Sequence, residues 1–149
     1  MRVRIRDVEV LEMFVKKFAL LFLSLSLFGL QAHAQLAIES HTENGVTFVS
    51  GGAGGEGVQA IRAIEQDYNL RLLFAVQGSG NYLSRVDVKI FDRSGRTLVD
   101  TMSNGPYFLA KLSPGGYRIV AESGGKSIEK RVDISSGQVV SQSLYWPAT

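Results

Sequence analysis

From about residue 70 onward, apolar and polar positions alternate in short runs separated by turn-forming residues. Leu70, Leu72, Phe74 and Val76 alternate with Arg71, Leu73, Ala75 and Gln77, and the extra Leu73 implies a strand covered on both faces. Val86, Val88 and Ile90 alternate with Asp87 and Lys89, and Asp92-Arg93-Ser94-Gly95 reads as a hairpin turn into Thr97-Leu98-Val99. Asn104-Gly105 turns into Tyr107-Phe108-Leu109-Ala110, and Pro114-Gly115-Gly116 turns into Tyr117-Arg118-Ile119-Val120-Ala121. Ser123-Gly124-Gly125-Lys126 makes a further hairpin into a strand carrying Ile128, Val132 and Ile134, and the last strand ends at Tyr145-Trp146-Pro147. Turn signals spaced roughly ten residues apart predict a mainly β fold, an antiparallel sandwich of about seven strands.

One downstream stretch has a helical period. Val58, Ile61, Ile64 and Tyr68 recur at steps of three, three and four, with Gln59, Arg62 and Gln66 between them. This spacing predicts one amphipathic helix over residues 56–68, closed by Asn69. Before it, Gly51-Gly52-Ala53-Gly54-Gly55-Glu56-Gly57 is expected to be a flexible loop, because glycine loses the most conformational freedom on ordering. Residues 35–44 read as a polar, mobile lead-in, Asn44-Gly45 as a turn, and Val46-Thr47-Phe48-Val49 as a short strand. The expected organisation is therefore a lead-in and strand over 35–50, a Gly-rich loop and helix over 51–69, and a sandwich over 70–149.

The N-terminal region has a different signature. Residues 18–30 form an apolar run preceded by Lys16-Lys17 and followed by Ala32-His33-Ala34. The run falls short of the roughly 20 residues that span a bilayer. Basic flank, short apolar segment and small-x-small site predict a secretory signal peptide over 1–34, cut between Ala34 and Gln35, with no membrane anchor left after cleavage. Met13 would also begin a signal of ordinary length, so the start is left open between Met1 and Met13, residues 1–12 being an upstream extension in the second case. The expected destination is the periplasm or the exterior.

Charge and composition then narrow the chemistry. The 149-residue chain has 16 basic and 14 acidic side chains, but residues 1–34 hold 5 of the former and 3 of the latter, so 11 of each remain. The basic balance belongs to the targeting segment and gives no reason to expect nucleic-acid binding. The absence of cysteine removes disulfides, thiolate metal sites and a Cys nucleophile. His41 is the one histidine after residue 34 and is read as solvent-exposed.

Residues 86–144 resemble the carboxypeptidase regulatory-like domains, members of the transthyretin-like or prealbumin-like sandwiches. The resemblance rests on Val86-Asp87-Val88-Lys89-Ile90, the turn at residues 92–95, Ser103-Asn104-Gly105-Pro106-Tyr107-Phe108, and Leu112-Ser113-Pro114-Gly115-Gly116-Tyr117-Arg118-Ile119. It implies an Ig-like or prealbumin-like β-sandwich and a small exported Gram-negative protein, and it implies no activity, since such sandwiches host many roles. The hydroxyisourate hydrolases of the same fold group need several histidines and a C-terminal Tyr-Arg-Gly-Ser, whereas this chain ends Tyr145-Trp146-Pro147-Ala148-Thr149.

Several short motifs invite chemistry and are better explained without it. Gly52-x-Gly54-x-x-Gly57 matches a dinucleotide fingerprint, yet no acidic residue ends the next strand and no β–α repeat follows. The same loop could dock a partner. Ser123-x-x-Lys126 has the spacing of a serine acyl-transfer pair but lies in a Gly-Gly hairpin. Asp87, Asp92 and Asp100 lack the spacing of a calcium loop and are read as turn and surface residues. No catalytic, cofactor or metal residue is assigned. The expected function is a non-catalytic binding module recognising another envelope protein, with a carbohydrate-binding module as the alternative. Candidate contact residues are Gly52, Gly54, Gly57, Tyr82, Tyr107, Tyr145 and Trp146, the aromatics because flat rings stack on sugars and anchor interfaces.

Overall fold

A computed structural model describes residues 38–148. The predicted signal peptide and its cleavage site lie outside the described residues. Nine strands, one α-helix and one 3-10 turn follow in the order β1 (His41–Glu43), β2 (Val46–Gly51), α1 (Gly54–Ile64), the 3-10 turn (Glu65–Asp67), β3 (Leu70–Val76), β4 (Asp87–Asp92), β5 (Thr97–Met102), β6 (Tyr107–Lys111), β7 (Gly115–Ser123), β8 (Lys126–Ile134) and β9 (Val140–Trp146). They form a five-stranded sheet, β1-β2-β6-β3-β9, and a four-stranded sheet, β5-β4-β7-β8. The result is mainly β and sandwich-like, not a closed barrel.

The alternation read from the sequence decides which side chains face inward. Phe48, Leu72, Phe74, Phe108 and Leu144 of the larger sheet meet Val88, Ile90, Val99, Ile119 and Val132 of the smaller one in a single core. Phe48 stacks on Phe108 with ring centroids 5.4 Å apart, and Phe74 meets Trp146 edge-on at 6.0 Å. The expected hairpins form. Asn44 and Gly45 both have positive φ, the type I′ pattern that matches strand twist. Ser123 and Lys126 are opposed residues of the β7–β8 hairpin, so the acyl-transfer spacing is turn geometry. Asp92 Oδ1 accepts from the Ser94 and Arg96 amides, and its carboxyl is held below the usual range chiefly by the Ser94 hydroxyl. Asp100 pairs with Lys89 at 3.0 Å. The Tyr117 hydroxyl donates to the Ser113 carbonyl at 2.7 Å, fastening the Leu112–Tyr117 motif.

Three expectations need correction. Residues 41–43 of the lead-in are a strand, because β1 completes a hairpin with β2. Strands β3–β9 lie within residues 70–149, and β1 and β2 bring the number among the described residues to nine. The sandwich is not wholly antiparallel, since β9 pairs in parallel with β3, Leu70 opposite Val140 through Val76 opposite Trp146. Local alternation carries no information about strand direction, so a long return connection cannot be told from a hairpin by pattern alone.

The helix is the third. It begins at Gly54 inside the glycine run and ends at Ile64, where the 3-10 turn takes over. Packing overrides propensity here, because Ile61 is fully buried with Val49, Leu109 and Tyr68 on the outer face of the five-stranded sheet. The glycine at position 57 also permits a close approach: a Cβ there would lie 3.2 Å from the Gly52 carbonyl carbon. Asn69 does not close the helix. Its Nδ2 donates to the Leu112 carbonyl at 2.7 Å and its Oδ1 accepts from the Leu112 amide at 2.9 Å, clamping the start of β3 to the end of β6.

Candidate functional site, a tyrosine platform beside an open strand edge

The helix covers only part of the outer face of the five-stranded sheet. The rest is laid out by strand register. Tyr145 of β9 is opposite Ala75 of β3, and Ala75 is bridged on its other side to Tyr82. One step along, Ser143 is opposite Leu73, and Leu73 is opposite Tyr107 of β6. Ser141, Arg71 and Leu109 form the next row. Directly opposed residues share a face, and adjacent strands lie about 4.8 Å apart, so Tyr82 and Tyr145 stand about 10 Å apart across Ala75.

Tyr82 is 57% exposed and Tyr145 51%. Tyr107 is half-buried beneath Tyr82, with ring centroids 5.9 Å apart in an edge-on arrangement and a long 3.5 Å contact from its hydroxyl to that of Tyr82. That hydroxyl contact, then burial, pushes the Tyr107 phenol above its ordinary value. Arg71 closes the far end of the platform, its guanidinium 3.4 Å from Glu65, while its Nε is buried without a hydrogen-bond partner among the described residues.

The glycines support this arrangement. Gly52 has φ +86°, and a Cβ there would fall 2.3 Å from Tyr107 Cδ2. Gly52 makes room for the Tyr107 ring, and Gly57 lets the first turn of α1 come close to the Gly52 backbone. Gly54 faces open space. Gly54, Gly55 and Gly57 lie within α1, so the expected flexible loop is reduced to a short connection.

Trp146 does not join the platform. It is 3% exposed, packs on Phe74, and donates its indole N–H to the Lys126 carbonyl at 2.8 Å. Its parity with Val140 and Leu144 turns it inward, which removes it as a stacking surface. The structure thus brings together Tyr82, Tyr107, Gly52 and Gly57, adds Tyr145 across Ala75, and separates Trp146 and Gly54 from them. Sequence reasoning missed Arg71, Leu73, Ala75, Ser141 and Ser143. The one available signal was Leu73, whose hydrophobicity on the outer parity marked a second covered face.

The platform can bind by shape, aromatic contact and hydroxyl hydrogen bonds. Among the described residues no three His, Cys, Asp or Glu side chains gather as metal ligands. A concavity of about 340 Å³ on the other sheet is lined by Arg93, Arg118 and Arg131. These arginines are engaged by Asp133 and Glu129, with Arg118 also over the Phe91 ring at 4.0 Å.

No protein-family model matches the chain, and no curated protein matches it. Among solved structures it is similar to PorZ, described as an essential bacterial surface component of the type-IX secretion system of Porphyromonas gingivalis, with 19% identity and a TM-score of 0.32. The alignment covers 66% of this chain and 16% of PorZ.

Proposed function

We propose that the protein is a non-catalytic interaction module of the bacterial envelope, exported by its signal peptide and released without an anchor, that recognises another envelope protein. Its sandwich is of the prealbumin-like type carried by carboxypeptidase regulatory-like domains. The observation that carries the reading is the platform: two half-exposed tyrosines flank Ala75 on the outer face of the larger sheet, and the β9 edge borders them. Aromatic residues on a flat, rigid surface give large contact area at low entropic cost, which suits recognition of a protein surface. Neither cofactor nor nucleic acid enters this function.

A second reading is favoured by one specific observation. Tyrosines about 10 Å apart on a flat face, with serine hydroxyls beside them, can stack successive sugar rings of a glycan. Trp146 has no part in it.

Crosslinking of the tagged protein in intact host cells, followed by mass spectrometry, separates the two. The protein-recognition reading expects one dominant adduct that disappears in a Tyr82→Ala, Tyr145→Ala double variant and persists in Arg131→Ala on the other sheet. Absence of any adduct, with envelope glycan retained by the wild-type protein and lost in the double variant, supports the sugar reading instead.

A further inference from the structure

Four strand edges border the two sheets, and they are not equivalent. β1 is only three residues long. The edge of β5 is occupied by the neighbouring hairpin, where Asn44 Nδ2 donates to the Leu98 carbonyl and Glu43 accepts from the Asp100 amide. β8 is studded with charge, Lys-Ser-Ile-Glu-Lys-Arg-Val-Asp-Ile over Lys126–Ile134. Charged, short or covered edges resist pairing with another chain. β9 has none of these protections: Val-Ser-Gln-Ser-Leu-Tyr-Trp spans seven residues with no charge and no proline.

Hydrogen-bond parity shows which groups this edge offers. The Val140 amide donates to Asn69 and the Trp146 carbonyl accepts from Gln77, so even-numbered residues of β9 face β3. The amides and carbonyls of Ser141, Ser143 and Tyr145 therefore point away from the sheet, and no hydrogen bond among the described residues engages them. Their side chains lie on the platform.

The charge beside this edge selects what can fill it. Lys130 is opposite the buried Ile119, so its side chain starts on the inner face of β8, yet it is exposed. Lys126 shares that parity and is also exposed, and its carbonyl holds the Trp146 indole at the end of β9. Both lysines thus leave the sandwich along the side where β8 and β9 meet, and neither takes part in an ion pair among the described residues. A strand added to β9 would carry its inward side chains past them.

We propose that the β9 edge takes up an extended segment of the partner protein as an added strand, and that this segment carries carboxylates on inward-facing positions to meet Lys126 and Lys130. The proposal rests on the protein-recognition reading and names the chemistry of the partner. Lysines four residues apart on a strand are about 14 Å apart, which matches carboxylates at positions i and i+4 of the segment. Its outward side chains extend the tyrosine platform beyond Tyr145. A second copy of this chain does not fit, because β9 has no carboxylate and self-pairing would gather lysines of both copies along one seam. Strand addition supplies affinity through the main chain and specificity through alternate side chains.

The test uses nine-residue random peptides displayed on phage and selected against the full exported protein. The expected winners carry Asp or Glu at two positions four apart. A synthetic peptide of the winning sequence should shift the amide NMR signals of Ser141, Ser143 and Tyr145 and weaken with salt. It should lose about tenfold or more in affinity for Lys130→Glu. Selection against the Lys126→Glu, Lys130→Glu variant should favour Lys and Arg instead. Winners that shift β9 but show no acidic preference, or keep it on the double variant, overturn the charge inference and leave strand addition standing. Winners that map elsewhere, an empty selection, or unchanged affinity for a folded Ser143→Pro variant overturn the edge as the docking site. Self-association of the protein that the peptide displaces overturns the choice of a foreign strand.

Discussion

Replacing Gly52 by alanine tests how the site is built. Two costs can be worked out separately. An L residue at φ +86° loses about 1–2 kcal/mol relative to glycine. The new Cβ would lie 2.3 Å from Tyr107 Cδ2 and 3.1 Å from Cε2, whereas carbon atoms rest at roughly 3.5–4.0 Å. The ring must withdraw by about 1 Å or more. Withdrawal disturbs the edge-on contact with Tyr82, worth about 0.5–1.5 kcal/mol, and forces repacking against the helix at a further 1 kcal/mol or so.

The expected loss for Gly52→Ala is therefore about 3 kcal/mol. Gly54→Ala provides the comparison, since it shares a positive φ of +72° but has nothing within 4 Å. Its expected loss is about 1 kcal/mol. Urea denaturation followed by the fluorescence of Trp146 reads both, and the melting temperatures should fall by roughly 12 °C and 4 °C. In a Tyr107→Ala background, Gly52→Ala should cost only its backbone share of about 1 kcal/mol. Equal losses for the two glycine variants, or no relief in the Tyr107→Ala background, would refute the claim that Gly52 exists to seat this ring.

Three further outcomes follow from the same contacts. Trp146→Phe removes the indole donor from the Lys126 carbonyl and should cost about 1–3 kcal/mol, with faster hydrogen exchange at the Gln77 amide that bonds Trp146. Asn69→Ala removes both halves of the clamp on Leu112 and should lower stability by about 2 kcal/mol, with Asn69→Asp losing the donated half alone. Tyr107 holds its proton more tightly when folded than at the ordinary 10.0, so its contribution to stability is full below pH 10.0 and is lost as pH rises through the folded value. Tyr82→Phe removes the leading cause and should shift the Tyr107 titration, followed by tyrosinate absorbance, back toward that value.

Much of the fold could be read from the sequence because the responsible forces are local. Alternation at Val88 and Ile90, the Asn44-Gly45 turn and the Asp92 turn each specify a conformation within a few residues. Trp146 was offered as a contact residue, although its parity with Leu144 turns it inward. The parallel pairing of β9 with β3 did not, because it depends on contacts some seventy positions apart in the chain, which leave no local signature. The helix start was misjudged for a related reason. Glycine propensity at positions 54–57 is outweighed by the burial of Ile61 against Val49 and Leu109, residues from three separate segments. The platform was half legible. Its tyrosines were visible as residue types, but their company, Leu73, Ala75 and the β9 serines, is created by sheet register.

The central claim is that the outer face of the five-stranded sheet, with its β9 border, is the binding surface. A photoreactive amino acid placed in turn at positions 82, 143 and 145, and as controls at 129 and 131 on the outer face of the other sheet, tests it most directly in intact host cells. The account predicts a single protein adduct from the first three positions and none from the controls. Adducts from 129 and 131 alone, or silence at all five positions, would contradict it.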